Sequence, residues 1–226
     1  EQINRLTDKA HIGIMVPTSG AFPMALLGAW LDRRVAVPLN YLLAPEELAY
    51  VIEDSGIDTI LTVQPMLDYL GEENLPEHVR LQRIEDIDFA GLPELSWPPR
   101  PQADELAALL YTSGTTGKPK GVMLTHGNLR ANVEASVQHA HLGSADKFLG
   151  VLPQFHSFGL TVLTLMPLYL GAQVIYAARF IPRQIVQLMR EHQPDIFVAV
   201  PSMYGALLSV KSASAEDFAS LRVAVA

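Results

Sequence analysis

Short apolar segments alternate along the chain with segments of helical pattern, and this alternation constrains the fold more than any other feature. Residues 11–16, 35–39 and 57–63 have the composition of short buried strands, and the segments between them have the apolar spacing of helices. Strands separated by helices pair in parallel, through right-handed crossovers, and the helices cover the sheet. We therefore predict an α/β fold with two lobes of mostly parallel sheet and flanking helices.

One predicted helix shows how the sequence marks the ends of an element. Pro45 suits the first turn of a helix, where a missing N–H costs nothing, and Gly56 suits its end. Leu48, Val51 and Ile52 fall on one face between them. In the second half of the chain we also predict a helix that Ser202 caps, following a strand over residues 195–200.

The segment 72–103 interrupts the alternation, because it is rich in proline and acidic residues and lacks periodicity. We predict an irregular surface connection there. It would join a first lobe, residues 1–103, to a second lobe, residues 104–226. Its carboxylates are predicted to form a solvated loop and not a metal site: Glu85, Asp86, Asp88 and Glu94.

Composition narrows the classes of protein to consider. Among 226 residues, 49% are hydrophobic and 18% are charged, the profile of a soluble globular protein. The net charge of −8, without a stripe of Lys and Arg, argues against a nucleic-acid partner. The absence of cysteine excludes disulfides and thiolate chemistry. The longest apolar stretch, 158–172, contains Pro167 and is short for a membrane span. We expect no transmembrane segment, and a cytoplasmic location with peripheral membrane association as the alternative.

The run YTSGTTGKPKGV, residues 111–122, is the motif with the clearest chemistry. Its glycines allow close approach of the backbone, and its hydroxyl, N–H and ammonium groups suit a polyphosphate. It is not a Walker A loop, because only two residues separate Gly114 from Gly117 and Pro119 follows Lys118. Proline also disfavours helix in the residue before it. We predict a glycine-rich hairpin between two strands, with a plain flexible turn as the alternative.

A second motif, LPQFHSFGL, occupies residues 152–160. A histidine beside phenylalanine is by itself more often a core residue than a functional one. In this order and spacing, however, the two motifs resemble those of the adenylate-forming enzymes. That family includes acyl-CoA and aryl-CoA ligases, firefly luciferase and the adenylation domains of peptide synthetases. The first motif meets each fixed position of [YF]-T-S-G-[ST]-T-G-x-P-K-G, with Lys120 as its fixed lysine and Lys118 in the variable position. The second resembles P-x-F-H-x-x-G.

The resemblance implies an adenylation site, in which a carboxylate attacks the α-phosphorus of ATP and pyrophosphate leaves. His156 is implied as the catalytic residue beside that carboxylate, and Mg²⁺ as the ion that bridges phosphate oxygens. No side chain of this chain is predicted as a metal ligand. The residues implied to bind ATP are Thr112, Ser113, Gly114, Thr115, Thr116, Gly117, Lys118 and Lys120, and those implied to bind the acid are Phe155, Phe158 and Gly159.

The function implied by the resemblance is that of an ATP-dependent carboxylic acid:CoA ligase, an acid–thiol ligase of the AMP-forming type. It would activate a fatty acid and transfer it to the thiol of CoA or of an acyl-carrier protein. Amino-acid-activating relatives usually carry Asp where this chain has His156, which favours an acid without an amine. Gln154 departs from the apolar residue common at its position, and an aryl acid is an alternative substrate. Met203 and Tyr204 could line an acyl tunnel or pack in the core.

The resemblance covers nearly the whole chain but only about the first half of such an enzyme. The family's adenine motif, its Tyr-Gly-x-Thr-Glu segment, its ribose-binding Asp and its C-terminal Lys do not occur in these residues. We therefore expect a truncated piece of the N-terminal domain, without the C-terminal lobe and inactive alone. The competing interpretation is a non-catalytic fragment or pseudoenzyme that binds a nucleotide or a partner. Nothing in the sequence indicates the oligomeric state.

Overall fold

A computed structural model of the chain describes residues 6–88, 98–112 and 117–226. The strands in these ranges are β1 (His11–Met15), β2 (Val35–Pro38), β3 (Thr59–Thr62), β4 (Arg80–Arg83), β5 (Leu106–Thr112), β6 (Lys120–Thr125), β7 (Lys147–Gly150), β8 (Gln173–Tyr176), β9 (Ile196–Val198) and β10 (Val223–Val225). The α-helices are α1 (Ala21–Leu31), α2 (Pro45–Ser55), α3 (Gln64–Leu70), α4 (His126–His139), α5 (Ser157–Leu160), α6 (Met166–Leu170), α7 (Pro182–His192) and α8 (Pro201–Leu208).

The strands form two sheets. The first has the order β4-β3-β1-β2-β5-β6, in which β6 alone runs antiparallel to its neighbour. The second has the order β10-β9-β7-β8 and is parallel throughout. Alternating strands and helices thus produce the α/β architecture that the sequence predicts, since parallel neighbours require a crossover between them.

The first sheet is stabilised by apolar side chains packed on its strands. Met15, Val37 and Ile60 of three neighbouring strands are fully buried and belong to one core cluster. Helix α2 adds Leu48, Val51 and Ile52 to this cluster, the face that the sequence predicts. Pro45 stands in its first turn, and Gly56 ends the helix with a left-handed φ of 67°, a conformation that glycine adopts without steric cost. The predicted limits of this helix are confirmed.

The apolar stretch after the second motif forms a helix with an irregular middle. Helix α5 leads into a π-helical turn, Thr161–Leu165, which continues as α6. Pro167 has no N–H, so the carbonyl of Leu163 loses the donor that a regular α-helix would supply from that position. The hydroxyl of Tyr176 donates to the Leu163 carbonyl at 2.7 Å. Among the described residues no helix has both the length and the apolar character of a membrane span.

The chain divides into two compact units at places other than the predicted boundary at residue 104. The first unit consists of Glu1–Pro17 and Ala21–Arg130, and the second of Thr18–Gly20 and Ala131–Ala226. Strand β5 pairs with β2 through Ala36 and Ala108, and this pairing assigns the β5–β6 hairpin to the first unit. The phosphate-loop hairpin and the His156 motif therefore belong to different units, whereas we predict them in one lobe.

Two local predictions need correction. The segment predicted as irregular, 72–103, contains β4, which pairs in parallel with β3 from Arg80 to Arg83. The predicted cap at Ser202 is also wrong, because helix α8 begins at Pro201 and its N-cap is Val200, which makes no side-chain cap bond. Pro201 occupies the first turn instead, where its fixed φ favours the start of a helix.

Candidate active site

The glycine-rich motif lies at the turn of the β5–β6 hairpin. Thr112 ends β5 and pairs with Lys120 at the start of β6, so the prediction of a hairpin in place of a helix-opening loop is confirmed at its base. Gly117 has a φ of +92°, which residues with a side chain rarely adopt. Thr112, Gly117, Lys118 and Lys120 are exposed, and Ser113, Gly114, Thr115 and Thr116 lie outside the described residues.

Helix α2 contacts both sides of this turn. Before the turn, the Tyr111 hydroxyl donates to Asp54 Oδ2 at 2.6 Å. After it, the Lys118 ammonium lies 5.1 Å from the centre of the Tyr50 ring. Burial, together with the hydrogen bond to Asp54, raises the pKa of Tyr111 well above its usual range, so this hydroxyl stays a donor. Sequence reasoning missed Tyr50 and Asp54, since nothing in their spacing links them to the motif.

The Tyr111 ring explains the glycine that follows the lysine in the motif. Gly121 stands opposite Tyr111 in the hairpin, and a Cβ atom there would lie 3.1 Å from the ring. Contacts that short are tighter than most packed side chains allow, so a larger residue would push the ring from its place. The hairpin thus holds Tyr111 between Gly121 and Asp54.

The histidine motif lies in the second unit, between β7 and α5. His156 is exposed and is the N-cap of α5, where its Nδ1 accepts weakly from the Phe158 N–H at 3.4 Å. Its own N–H donates to the Pro153 carbonyl at 3.2 Å. Phe155 is buried, and Phe158 packs against a core cluster around Phe148 and Leu163.

Gly159 permits the sharp turn that presents His156. A Cβ atom at this position would lie 2.0 Å from the Pro153 carbonyl oxygen, far inside van der Waals contact. The helix can therefore pass over that carbonyl only because residue 159 has no side chain. This explains why the motif ends in glycine, and it makes Gly159 a residue that shapes the turn.

Gln154 has a role that the sequence does not reveal. It is only 2% exposed, and its Oε1 accepts from the Ser19 N–H at 2.9 Å while its Nε2 donates to Thr164 Oγ1 at 2.9 Å. The Thr18 hydroxyl donates to the Leu152 carbonyl at 3.0 Å. These bonds tie the segment Thr18–Gly20 to the second unit. A polar residue in an apolar motif indicates a buried hydrogen-bonding role. The sequence does not identify Ser19 as a partner, because it is 135 positions away.

Met203 and Tyr204, which could line an acyl tunnel or pack in the core, lie among packed side chains. Tyr204 packs edge-to-face on Phe197 and lies within hydrogen-bonding distance of the Phe197 and Val225 carbonyls, and Met203 joins the same cluster. The contacts of both residues are those of core packing.

The His126 ring meets Trp30 edge-on at 5.2 Å, and burial lowers the pKa of His126. No group of three His, Asp or Glu side chains suited to a metal ion occurs in the part of the chain described.

The predicted meeting of His156 with the phosphate loop stays a prediction. Thr115 and Thr116 of that loop lie outside the described residues. What the structure establishes is the local geometry of each motif. A hairpin carries exposed lysines beside a left-handed glycine, and a separate turn exposes an imidazole at the start of a helix.

Known proteins resemble this chain over nearly its whole length. The model of the AMP-binding enzyme family matches residues 4–226. The mitochondrial malonate–CoA ligase of Xenopus laevis is 30% identical over 217 residues, covering 88% of this chain and 36% of that protein. The long-chain-fatty-acid–CoA ligase of Bacillus subtilis is 26% identical over 260 residues, covering 98% of this chain and 46% of that protein.

A solved structure extends the likeness to the fold. The O-succinylbenzoate CoA synthetase of Bacillus subtilis, in complex with ATP and a magnesium ion, superposes with a TM-score of 0.84 at 27% identity. The match covers 99% of this chain and 46% of that one, and the chain spans less than half the length of each of these three relatives. The predicted family and fold class are confirmed: this chain belongs to the AMP-binding enzyme family, and its two sheets match the N-terminal domain of adenylate-forming enzymes.

Proposed function

We propose that this chain supplies the ATP-binding and acid-binding residues of an AMP-forming acid–thiol ligase. The observation that carries the proposal is the β5–β6 hairpin, whose turn holds the glycine-rich motif and whose base is the Thr112–Lys120 pair. The names of the relatives support it, since those compared are CoA ligases or synthetases. Because the chain covers less than half of each, the whole reaction is proposed for the full-length protein.

The residues of the hairpin fit a polyphosphate. Lys118 and Lys120 bring positive charge to an exposed turn, and the left-handed Gly117 lets backbone N–H groups approach an anion closely. We assign the β- and γ-phosphates of ATP to the motif from Thr112 to Lys120, which includes Ser113, Gly114, Thr115 and Thr116. When bound to those phosphates, Mg²⁺ neutralises part of their charge, and the protein need not supply a carboxylate cage.

The chemistry requires two anions to meet, a carboxylate and a triphosphate. Positioning and electrostatic stabilisation dominate such transfers, and no general base is needed because the carboxylate is already ionised at neutral pH. His156, exposed at the helix start, is proposed to lie beside the carboxylate, and Phe155, Phe158 and Gly159 to shape the acid-binding side.

We propose a fatty acid as the substrate and the thiol of CoA or of an acyl-carrier protein as the acceptor. Support comes from the apolar residues around His156 and from the long-chain-fatty-acid–CoA ligase among the relatives. Aryl acids are the second candidate, which the O-succinylbenzoate synthetase favours. A panel of palmitate, octanoate, benzoate and malonate in ATP–pyrophosphate exchange by the full-length protein separates these classes. Exchange with malonate or benzoate alone would overturn the fatty-acid proposal.

The Lys120→Ala variant tests the ATP site. We expect acid-dependent pyrophosphate exchange by the full-length protein to fall at least about tenfold, the effect of losing one charged contact to phosphate. The melting temperature should move by less than about 2 °C, because an exposed lysine contributes little to stability. Lys211→Ala, another exposed lysine, is the matched control and should leave exchange unchanged. Normal exchange with a large loss of stability in Lys120→Ala would make this lysine structural.

A further inference from the structure

Helix α2 presents two side chains, one turn apart, to the two sides of the hairpin turn. Residues four apart on a helix lie on the same face, and Tyr50 and Asp54 are such a pair. Asp54 Oδ2 accepts from Tyr111 at 2.6 Å, while its Oδ1 lies 3.3 Å from the Tyr50 hydroxyl. Tyr50 in turn lies under the Lys118 ammonium at 5.1 Å. The contacts link Tyr111, before the turn, to Lys118, after it.

We propose that Tyr50 and Asp54 are positioning residues for ATP, which hold Tyr111 and Lys118, on the two sides of the glycine-rich turn, in place for phosphate binding. The proposal rests on the proposed function of the hairpin. In it, Tyr50 acts through its contact with Lys118, which fixes the turn on that side, and Lys120 provides the direct charge for the phosphates. Asp54 acts through Tyr111, the residue immediately before Thr112.

Because Asp54 is charged, the direction in which its removal changes ATP binding tests this proposal. A carboxylate close to a triphosphate site repels the nucleotide, so removing its charge should improve ATP binding if Asp54 were only a neighbour. If Asp54 holds Tyr111 in place, its removal should weaken ATP binding instead. The structure favours the second outcome, because both carboxylate oxygens face tyrosine hydroxyls and the Tyr111 contact is short.

The Tyr50–Lys118 contact gives a second, independent test. A cation over an aromatic ring is an attraction between those two groups alone. If Lys118 contributes to ATP binding only by its contact with Tyr50, the variants Tyr50→Leu and Lys118→Met remove the same interaction. ATP binding by the double variant should then be no weaker than by either single variant. If Lys118 instead binds phosphate directly, the two losses should multiply.

The experiment measures acid-dependent ATP–pyrophosphate exchange by the full-length protein, with the KM for ATP and kcat determined separately. Asp54→Ala, Tyr111→Phe, Tyr50→Leu and Lys118→Met should each raise the KM for ATP by about two- to tenfold, the range for losing one such contact. The value of kcat should change less than twofold. Glu53→Ala is the matched control, since Glu53 is the adjacent carboxylate on α2 and faces His78 at 3.4 Å.

Hydrogen exchange of the peptide that contains residues 111–122 provides a readout that does not depend on turnover. Its amides should exchange faster in Tyr111→Phe and Asp54→Ala than in the Glu53→Ala control. A wild-type KM in these variants, a lower KM in Asp54→Ala, or multiplying losses in the Tyr50→Leu/Lys118→Met pair would overturn the inference. If the wild-type protein showed no pyrophosphate exchange with any of the carboxylic acids tested, the proposed function itself would be overturned. That result is distinct from any of these.

Discussion

Gly159 and Gly205 both lie in helices of the second unit, but an added methyl group meets different surroundings at the two positions. At Gly159 it would lie 2.0 Å from the Pro153 carbonyl oxygen and 2.7 Å from that residue's carbonyl carbon. At Gly205, in α8, nothing lies within 4 Å of it. The same change, glycine to alanine, should therefore have opposite effects on stability.

The magnitudes follow from two competing terms. Alanine is more favourable than glycine in a helix by about 1 kcal/mol, and this gain applies at both positions. Forcing extra volume against packed atoms costs about 1–3 kcal/mol, and a clash with backbone lies at the upper end because the backbone cannot rotate away. We expect Gly159→Ala to lower the free energy of unfolding by about 2 kcal/mol, and Gly205→Ala to raise it by about 0.5–1 kcal/mol.

Thermal unfolding of the two variants, followed by circular dichroism, measures this difference. For a chain of this size, about 2 kcal/mol corresponds to a decrease of roughly 4–8 °C, and the gain at Gly205 to an increase of roughly 1–4 °C. Gly159→Ala should also reduce exchange activity in the full-length protein, since Pro153 accepts the His156 N–H. A Gly159→Ala protein as stable as the wild type would refute the steric argument.

Two further predictions concern hydrogen bonds of the second unit. Tyr176→Phe should lower the free energy of unfolding in urea by about 1–2 kcal/mol, because it removes the donor to the Leu163 carbonyl. A change below about 0.3 kcal/mol would contradict the role given to this bond. Arg190 lowers the pKa of Asp217 from its usual 3.8 to about 2, so this pair contributes stability above pH 3.8 that is lost as the pH falls towards 2. Asp217→Asn should therefore flatten the fall in melting temperature between about pH 4 and 2, and an unchanged acid profile would contradict it.

The sequence predicts those elements whose limits are marked locally. Helix α2 is an example, because a proline, an apolar face and a glycine all lie within the segment itself. Strand β4 was missed for the opposite reason. Its residues RLQR are mostly polar and only partly buried, and the strand is defined by backbone pairing with β3. Pairing with a neighbour leaves no periodic signal in a strand at the edge of a sheet.

The candidate site was predictable to the level of motifs. The glycine-rich run and the histidine turn could be found, because each carries its chemistry within about ten residues. The contacts of Asp54 with Tyr111, and of Gln154 with Ser19, could not be found, since they join residues 57 and 135 positions apart. The division of the chain after Arg130 could not be found either, because the β2–β5 pairing that joins the hairpin to the first unit is non-local.

The bond from Thr18 to the Leu152 carbonyl has a consequence for the order of folding. These residues are 134 positions apart, so a ribosome that adds about 5–20 residues per second completes Leu152 roughly 7–27 s after Thr18. During that interval the short segment Thr18–Gly20 cannot form its bonds to the second unit, although β1 before it and α1 after it belong to the first unit. A polypeptide that begins at Ala131 never receives this segment. We expect such a polypeptide to fold less stably than the same residues within the whole chain.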